Sequence, residues 1–152
     1  MSTTKSKFDL QEFVPYRVAV LENAVSNTIA QLYTNRFNLS RSEWRVLTAL
    51  GDKPGMVGRE VVLYTTQDKV QVSRAVIRLE KKGLVTVAED PNDRRNKTLH
   101  LSKDGKKLLQ QILPLVIEQE ALLLDAISEK ELQQFLQISD KILTRAHKLI
   151  SK

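Results

Sequence analysis

The chain contains no cysteine. Disulfides, thiolate metal ligands and thiol-based redox sensing therefore lie outside its chemistry. Histidine is almost as scarce: only His100 and His147 are present, and no spaced set of metal ligands can be assembled around them. There is no Gly-rich phosphate loop and no nucleophile–base–orienter set, so neither an enzyme nor a bound cofactor is expected. No apolar run approaches the roughly 20 residues that cross a bilayer. The opening "MSTTKSKFDL" also lacks the apolar core of a secretory signal. These absences lead to the expectation of a soluble, cytoplasmic protein with no membrane partner.

What is present is length and positive charge. A chain of 152 residues fits one ordinary domain, or one domain plus an oligomerisation element. At that size roughly 70% of the unfolded surface can be buried, so a core needs no covalent staples. The net charge is +6 and the isoelectric point near 9.6. Between Asp68 and Lys107, eleven Lys/Arg stand against six Asp/Glu, while the remaining residues hold thirteen against twelve. The basic excess is thus a single block. It suits a surface facing a polyanion, although charge alone serves a merely solvated face equally well.

Residues 1–8 are polar and read as a loose lead-in. From Asp9, apolar residues recur at three- and four-residue steps (Leu10, Phe13, Val14, Val18, Leu21, Val25, Ile29, Leu32), the period of a helix reaching about Asn35. Two starts are allowed: Asp9 with Glu12 as a capping box, or Val14 with Pro15 in the first turn. In "SRSEWRVLTALG", Ser40 and Glu43 form a capping-box pair, Trp44, Leu47 and Leu50 a stripe, and Gly51 a stop. "DKPG" is a turn, "REVVLYT" a short helix, and "TTQ" its break. A further helix opens at Asp68 with Gln71 at the capping-box position, buries Val72, Ala75, Val76 and Leu79, and stops at Gly83.

The period then changes from helical to alternating. Leu84–Glu89 and Lys97–Ser102 read as paired strands. Ser102 caps a helix from Lys103 to about Ala126, whose apolar residues surround the axis and whose Pro114 predicts a kink. "SEKE" caps a last helix striped by Leu132, Phe135, Leu136, Ile142, Leu143, Ala146 and Leu149. The expected fold is mainly α with a small β-hairpin, in the order α-α-α-α-β-β-α-α. The surplus apolar surface of the fifth helix argues for burial between subunits.

Two short helices with a tight break, followed by a hairpin, describe a winged helix-turn-helix. The second helix turns Lys69, Gln71, Ser73, Arg74 and Arg78 outward. Arg and Gln are able to contact base edges in bidentate fashion, whereas Lys and Ser more often hold phosphates. The alternative is a solvated face with intrahelical pairing. The hairpin tip "EDPNDRRNKTLHLS" is a poor connector but a good probe: Arg94, Arg95 and Lys97 are placed to enter a narrow minor groove of negative potential. Asp93 precedes Arg95 by two residues, so its carboxylate could accept from the guanidinium or from loop amides and order the tip.

These segments resemble the MarR family of bacterial transcriptional regulators. "DKVQVSRAVIRLEKKGLV" (Asp68–Val85) and "EDPNDRRNKTLHLSKDGKKL" (Glu89–Leu108) carry the resemblance. The second matches the family's wing signature through Asp93, Arg95, Leu101 and Ser102. "EWRVLTAL" adds the family's second helix, and the likeness runs from about Leu10 to Ile150. The resemblance implies a homodimer with dimerisation helices at 9–36 and 103–150, and a DNA-binding lobe at 40–102 with its wing at 84–102. It also implies a palindromic double-stranded operator, with reading helices about 34 Å apart in successive major grooves. Repression relieved by a small anionic, often phenolic, effector lodged between the dimerisation helices and the lobe is the usual behaviour of such proteins. Two departures stand out: "MVGRE" lacks the usual Ser or Thr cap, and "TTQ" lacks the frequent Gly.

The effector is less legible. Arg17 lies among apolar residues of the first helix with Tyr16 beside it, and Arg45 adjoins Trp44. An arginine at the edge of an apolar pocket is able to bind a carboxylate in bidentate fashion while an aromatic side chain packs on a ring. An aromatic carboxylate effector is one reading. A plain salt bridge for Arg17 and a core or interface role for Trp44 is the other. For the whole chain, a non-sequence-specific architectural or protein-binding helical dimer is the alternative to an operator-binding regulator.

Overall fold

A computed structural model describes residues 7–151. Residues 1–6 of the polar lead-in lie outside the described residues; Phe8, which follows them, sets its ring edge-on against Phe13 at 5.3 Å. The described residues form six α-helices and three short strands. Of the two starts open for the first helix, the later one is taken. Asp9 caps only a single 3-10 turn, Leu10–Glu12, by accepting from the Gln11 amide, and no Asp9–Glu12 capping box forms. Helix α1 runs Val14–Phe37 with Pro15 in its first turn, where a missing N–H costs nothing. It ends on Asn38, whose left-handed backbone (φ 52°) is one of the few that asparagine tolerates.

Helix α2 (Arg41–Asp52) departs from expectation at both ends. Ser40 accepts from the Glu43 amide at 3.1 Å, but the Glu43 side chain does not return the bond. Gly51 is not a stop either; it lies inside the helix. A Cβ there would sit 2.4 Å from Leu109 Cδ2, so glycine at 51 allows a close approach of the helix that carries Leu109. Strand β1, Met56–Val57, was not expected. It pairs antiparallel with β3 through Met56↔Leu99 and Val57↔Thr98, making a three-stranded sheet of order β1-β3-β2 rather than a two-stranded ribbon. Two residues are too few to give a strand period.

Helix α3 (Gly58–Thr65) begins without a side-chain cap, as the missing Ser or Thr implied, and Thr66 supplies the left-handed turn (φ 57°) in place of glycine. Helix α4 (Lys69–Lys81) opens on the full Asp68–Gln71 capping box and closes at Gly83, φ 74°. Strands β2 (Val85–Glu89) and β3 (Lys97–Leu101) pair in register from Val85↔Leu101 to Glu89↔Lys97. Helix α5 (Lys103–Leu124) contains Pro114, and α6 (Glu129–Ile150) opens on a Ser128–Glu131 capping box. The Ser128 amide donates to Glu131 and holds that carboxyl below its ordinary pKa.

The chain divides into two compact units, residues 1–116 and 117–152. The first holds the core: Val46, Leu47 and Leu50 of α2, Val61 of α3, Val72, Ala75 and Leu79 of α4, Val85 of β2, and Leu109 and Ile112 of α5. In the second, α6 buries none of its residues, and Phe135, Leu136, Ile142, Leu143 and Leu149 are exposed.

The base of the hairpin is tied to α5 by a small polar knot. Ser102 donates its amide to Leu84 O at 3.0 Å and its hydroxyl to Gly83 O at 2.6 Å, while accepting from the Gly105 amide at 3.0 Å. Gly105 is buried so closely that a Cβ would meet Leu84 O at 2.1 Å. Backbone cannot swing aside as a side chain does, so Gly105→Ala is expected to destabilise the fold by about 1–3 kcal/mol. Chemical denaturation checks this; an unchanged midpoint would mean that the two backbones separate without cost.

Candidate nucleic-acid interface

Helix α4 is the short amphipathic element on which the basic block begins. Val72, Ala75 and Leu79 recur at helical spacing and pack against α2 and α3. Burying that face turns Lys69, Gln71, Ser73, Arg74 and Arg78 to solvent. The capping box fixes the first turn, with the Gln71 amide on Asp68 Oδ1 at 2.7 Å and the Asp68 amide on Gln71 Oε1 at 3.2 Å. That arrangement corrects one reading. Gln71 Oε1 is engaged at the helix end, and bidentate contact with adenine needs both the amide oxygen and the amide nitrogen. As the helix stands, only Nε2 is free to donate outward.

The opposite end of α4 is gripped by a buried carboxylate. Glu43 of α2 is only 4% exposed and accepts from Lys82 Nζ at 2.6 Å, with Arg78 at 4.0 Å. Lys82 also donates to Asn38 O, at 2.8 Å. One ammonium therefore joins the end of α1, the start of α2 and the end of α4. Arg78 is not paired within its own helix, nor wholly free: it stays half-exposed but leans toward Glu43. Nothing in the local sequence announces this ion pair, because Glu43 also fits a capping position.

In the wing loop, residues 90–96, short polar side chains replace a tight turn. Asp90 Oδ1 accepts from the Asn92 amide at 2.9 Å, and Asp93 Oδ1 from the Arg95 amide at 3.0 Å. Main-chain bonds from Asn96 to Asp93 and from Asp90 to Asn96 close the loop. Asp93 thus orders the tip chiefly through a loop amide; its contact with Arg95 Nε is long, at 3.4 Å. The Arg95 side chain is left 93% exposed, and Arg94 and Lys97 are exposed too.

Between α4 and the wing lies an open cleft of about 1150 Å³. It gathers Lys69 and Ser73 from α4 with Arg95 and Lys97 from the wing, over an apolar floor that includes Val76 and Leu99. Arg74, Arg78 and Arg94 do not line it. Arg59, the second residue of α3, does, and sequence reasoning missed it. Its only signal was a basic residue at the start of the uncapped helix. Opposed to a polyanion, this arrangement offers cations from a helix and from a ribbon across one recess.

The comparisons with known proteins agree with this geometry. Residues 37–96 match the MarR family profile. That segment is of the MarR family. Transcriptional regulator HosA of Escherichia coli O111:H- is 26% identical over 106 residues, covering 70% of this chain and 78% of HosA. A MarR/EmrR family transcriptional regulator from Acinetobacter sp. ADP1 superposes with a TM-score of 0.84 at 23% identity, covering 93% of this chain and 99% of the other. BpsR of Bordetella bronchiseptica, whose DNA binding is regulated by 6-hydroxynicotinic acid, superposes at 0.80 with 22% identity, covering 90% and 97% of the two chains. The chain is thus similar to transcriptional regulators over a fold that is mainly helical with a small antiparallel wing sheet. Among the described residues no helix is long and apolar enough to cross a membrane.

The four residues considered for an effector are distributed differently from the α4 and wing residues. Arg17 is exposed and donates to Gln11 O at 3.2 Å, and Tyr16 is half-buried one residue before it. Arg45 pairs with Glu22 of α1 at 3.0 Å and lines a cleft of about 450 Å³ with Thr48, Asp52 and Tyr64. Tyr64 donates to Asp52, and that bond pushes its phenol pKa up. Trp44 stacks on Tyr33 with centroids 4.9 Å apart, and burial raises the Tyr33 pKa. Arg45 and Trp44 are adjacent in sequence, but only Arg45 lines the cleft.

Removing the ammonium that satisfies Glu43 leaves a buried carboxylate with only a distant guanidinium. Lys82→Ala is therefore expected to lower stability by about 1–3 kcal/mol. Denaturant unfolding measures it, and a loss no larger than that of a surface lysine would show that the carboxylate is solvated by other means.

Proposed function

We propose that this regulator works as a homodimer on a palindromic double-stranded operator, as a repressor released by a small anionic effector. In this reading α4 enters the major groove and the wing tip enters the adjoining minor groove. The observation that carries it is the convergence of Lys69 and Ser73 from α4 with Arg95 and Lys97 from the wing on one recess. Arg74 takes the base-reading role, Lys69, Ser73 and Arg78 hold phosphates, and Gln71 contributes Nε2. Arg94 and Arg95 supply the guanidinium groups that a narrow minor groove attracts, with Asp93 ordering the tip. A protein acting on chromosomal DNA belongs in the cytoplasm of a bacterium.

The apolar residues exposed on the long helices support the dimer. Val18, Leu21 and Val25 of α1 and Phe135, Leu136, Ile142 and Leu143 of α6 recur at helical spacing, yet the single chain leaves them open to water. A second copy covers such stripes by symmetry, and burying them supplies the driving force. Residues 9–36 and 103–150 are accordingly the dimerisation helices, and 40–102 the DNA-binding lobe with its wing at 84–102.

For the effector, we infer an aromatic carboxylate, in line with the aromatic acid that regulates BpsR. Arg45 and Arg17 are the candidate anchors for the carboxylate, with Tyr16 and Trp44 as ring-packing partners. Arg45 has the better support, because it lines a recess large enough for one aromatic ring.

On a duplex enriched from a random pool by the wild-type protein, Arg74→Ala is expected to cost about 1–3 kcal/mol of binding and to relax preference at one position. Uniform weakening on every sequence would make Arg74 a phosphate contact instead. Arg95→Ala should act chiefly through A·T-rich flanks, and full affinity in that variant would remove the wing from the interface. Separately, 6-hydroxynicotinic acid or a related aromatic acid should raise the melting temperature by mass action. The shift should vanish in Arg45→Ala or Arg17→Ala; a variant that keeps the full shift takes its residue out of the site.

A further inference from the structure

Two apolar residues of α4, Val70 and Ile77, stand outside the core, and Val70 is the one in the first turn. Val70, the second residue of the helix, is 56% exposed. β-Branched residues are indifferent helix formers, and this one gains little burial in return. Ser73 and Arg74, three and four residues further on, share its face, and Lys69 stands beside it; all three are exposed. The two bonds of the Asp68–Gln71 capping box span Val70, so the turn that presents it is held in one conformation.

In the major groove, thymine alone offers a methyl group, and apolar side chains are what read it. The N-terminal residues of a reading helix are also those that approach base edges most closely. We infer that Val70 is a specificity-determining residue that packs on a thymine methyl at one position of each half-site, beside the base read by Arg74. This rests on the operator reading proposed above. A polar residue at 70 would leave that methyl in water and remove the preference for thymine over cytosine at that pair. The flanking Lys69 and Arg74 supply the charge complementarity that brings the strand to the valine.

The test uses the full-length protein and a duplex it enriches from a random-sequence pool. Each thymine is exchanged in turn for uracil, which pairs identically and lacks only the methyl. One exchange per half-site should weaken wild-type binding about four-fold, the worth of one buried methyl-sized group. The same exchange should leave Val70→Ala unaffected, while Val70→Thr, which keeps a branch methyl, should retain most of the sensitivity. An unchanged melting temperature for Val70→Ala shows that the variant is folded, as its exposure implies. Should every exchange affect wild type and Val70→Ala alike, the assignment of Val70 is overturned while the operator reading stands. Failure to enrich any duplex would instead remove the operator reading, and this inference with it.

Discussion

The structure turns on a carboxylate that water hardly reaches. Glu43 is buried against the end of α4, and its charge is tolerable there because Lys82 meets it at 2.6 Å while Arg78 stands nearby. A buried ion pair of this kind is weak evidence for net stability, since apolar side chains of similar volume often do as well. Its value lies in register. Lys82 bonds Glu43 and Asn38 O together, which ties the end of α4 to the start of α2 and the end of α1. The face carrying Lys69, Ser73 and Arg74 is oriented by that constraint, and in the proposed role as a reading helix that orientation matters.

A second constraint couples the wing to the rest of the first unit. Ser102 ties the base of the hairpin to α5 with three hydrogen bonds, and Gly105 lets the helix backbone lie against Leu84 O. Helix α4 is held through Glu43, and the ribbon through Ser102. The separation across the cleft is therefore fixed by two polar knots and not by the apolar floor alone. Between them, the wing tip is shaped by its own Asx-type bonds, with Asp90 and Asp93 as acceptors. Three of the six acidic residues of the basic block have a structural role: Asp68 caps, and Asp90 and Asp93 order a loop. The block stays net positive because eleven Lys/Arg outnumber its six Asp/Glu.

Much of this was legible in the amino-acid order. Helix α4 was plain because a capping box at Asp68, a three-and-four apolar step and a Gly at 83 agree with one another. The hairpin was plain because its period changes. The third strand escaped because Met56–Val57 is too short to show a period and pairs only through a strand more than forty residues away. Gly51 was misread because glycine signals a helix stop and a close approach in the same letter, and only the position of Leu109 distinguishes them. Glu43 was read as a capping residue when the fold buries it on a distant lysine, and Gln71, read both at the cap and on the outer face, has its Oε1 held at the cap. The candidate effector residues were the least legible, since a pocket is a property of packing and leaves no spacing rule in sequence.

The central claim is that α4 and the wing form one sequence-reading surface, used in pairs. A groove-specific chemical footprint on a duplex enriched by the protein tests it most directly. The account predicts two protected major-groove segments related by a dyad and about one helical turn apart, each flanked outward by minor-groove protection. Uniform protection along any duplex, or a single unpaired segment with open flanking minor grooves, would contradict it.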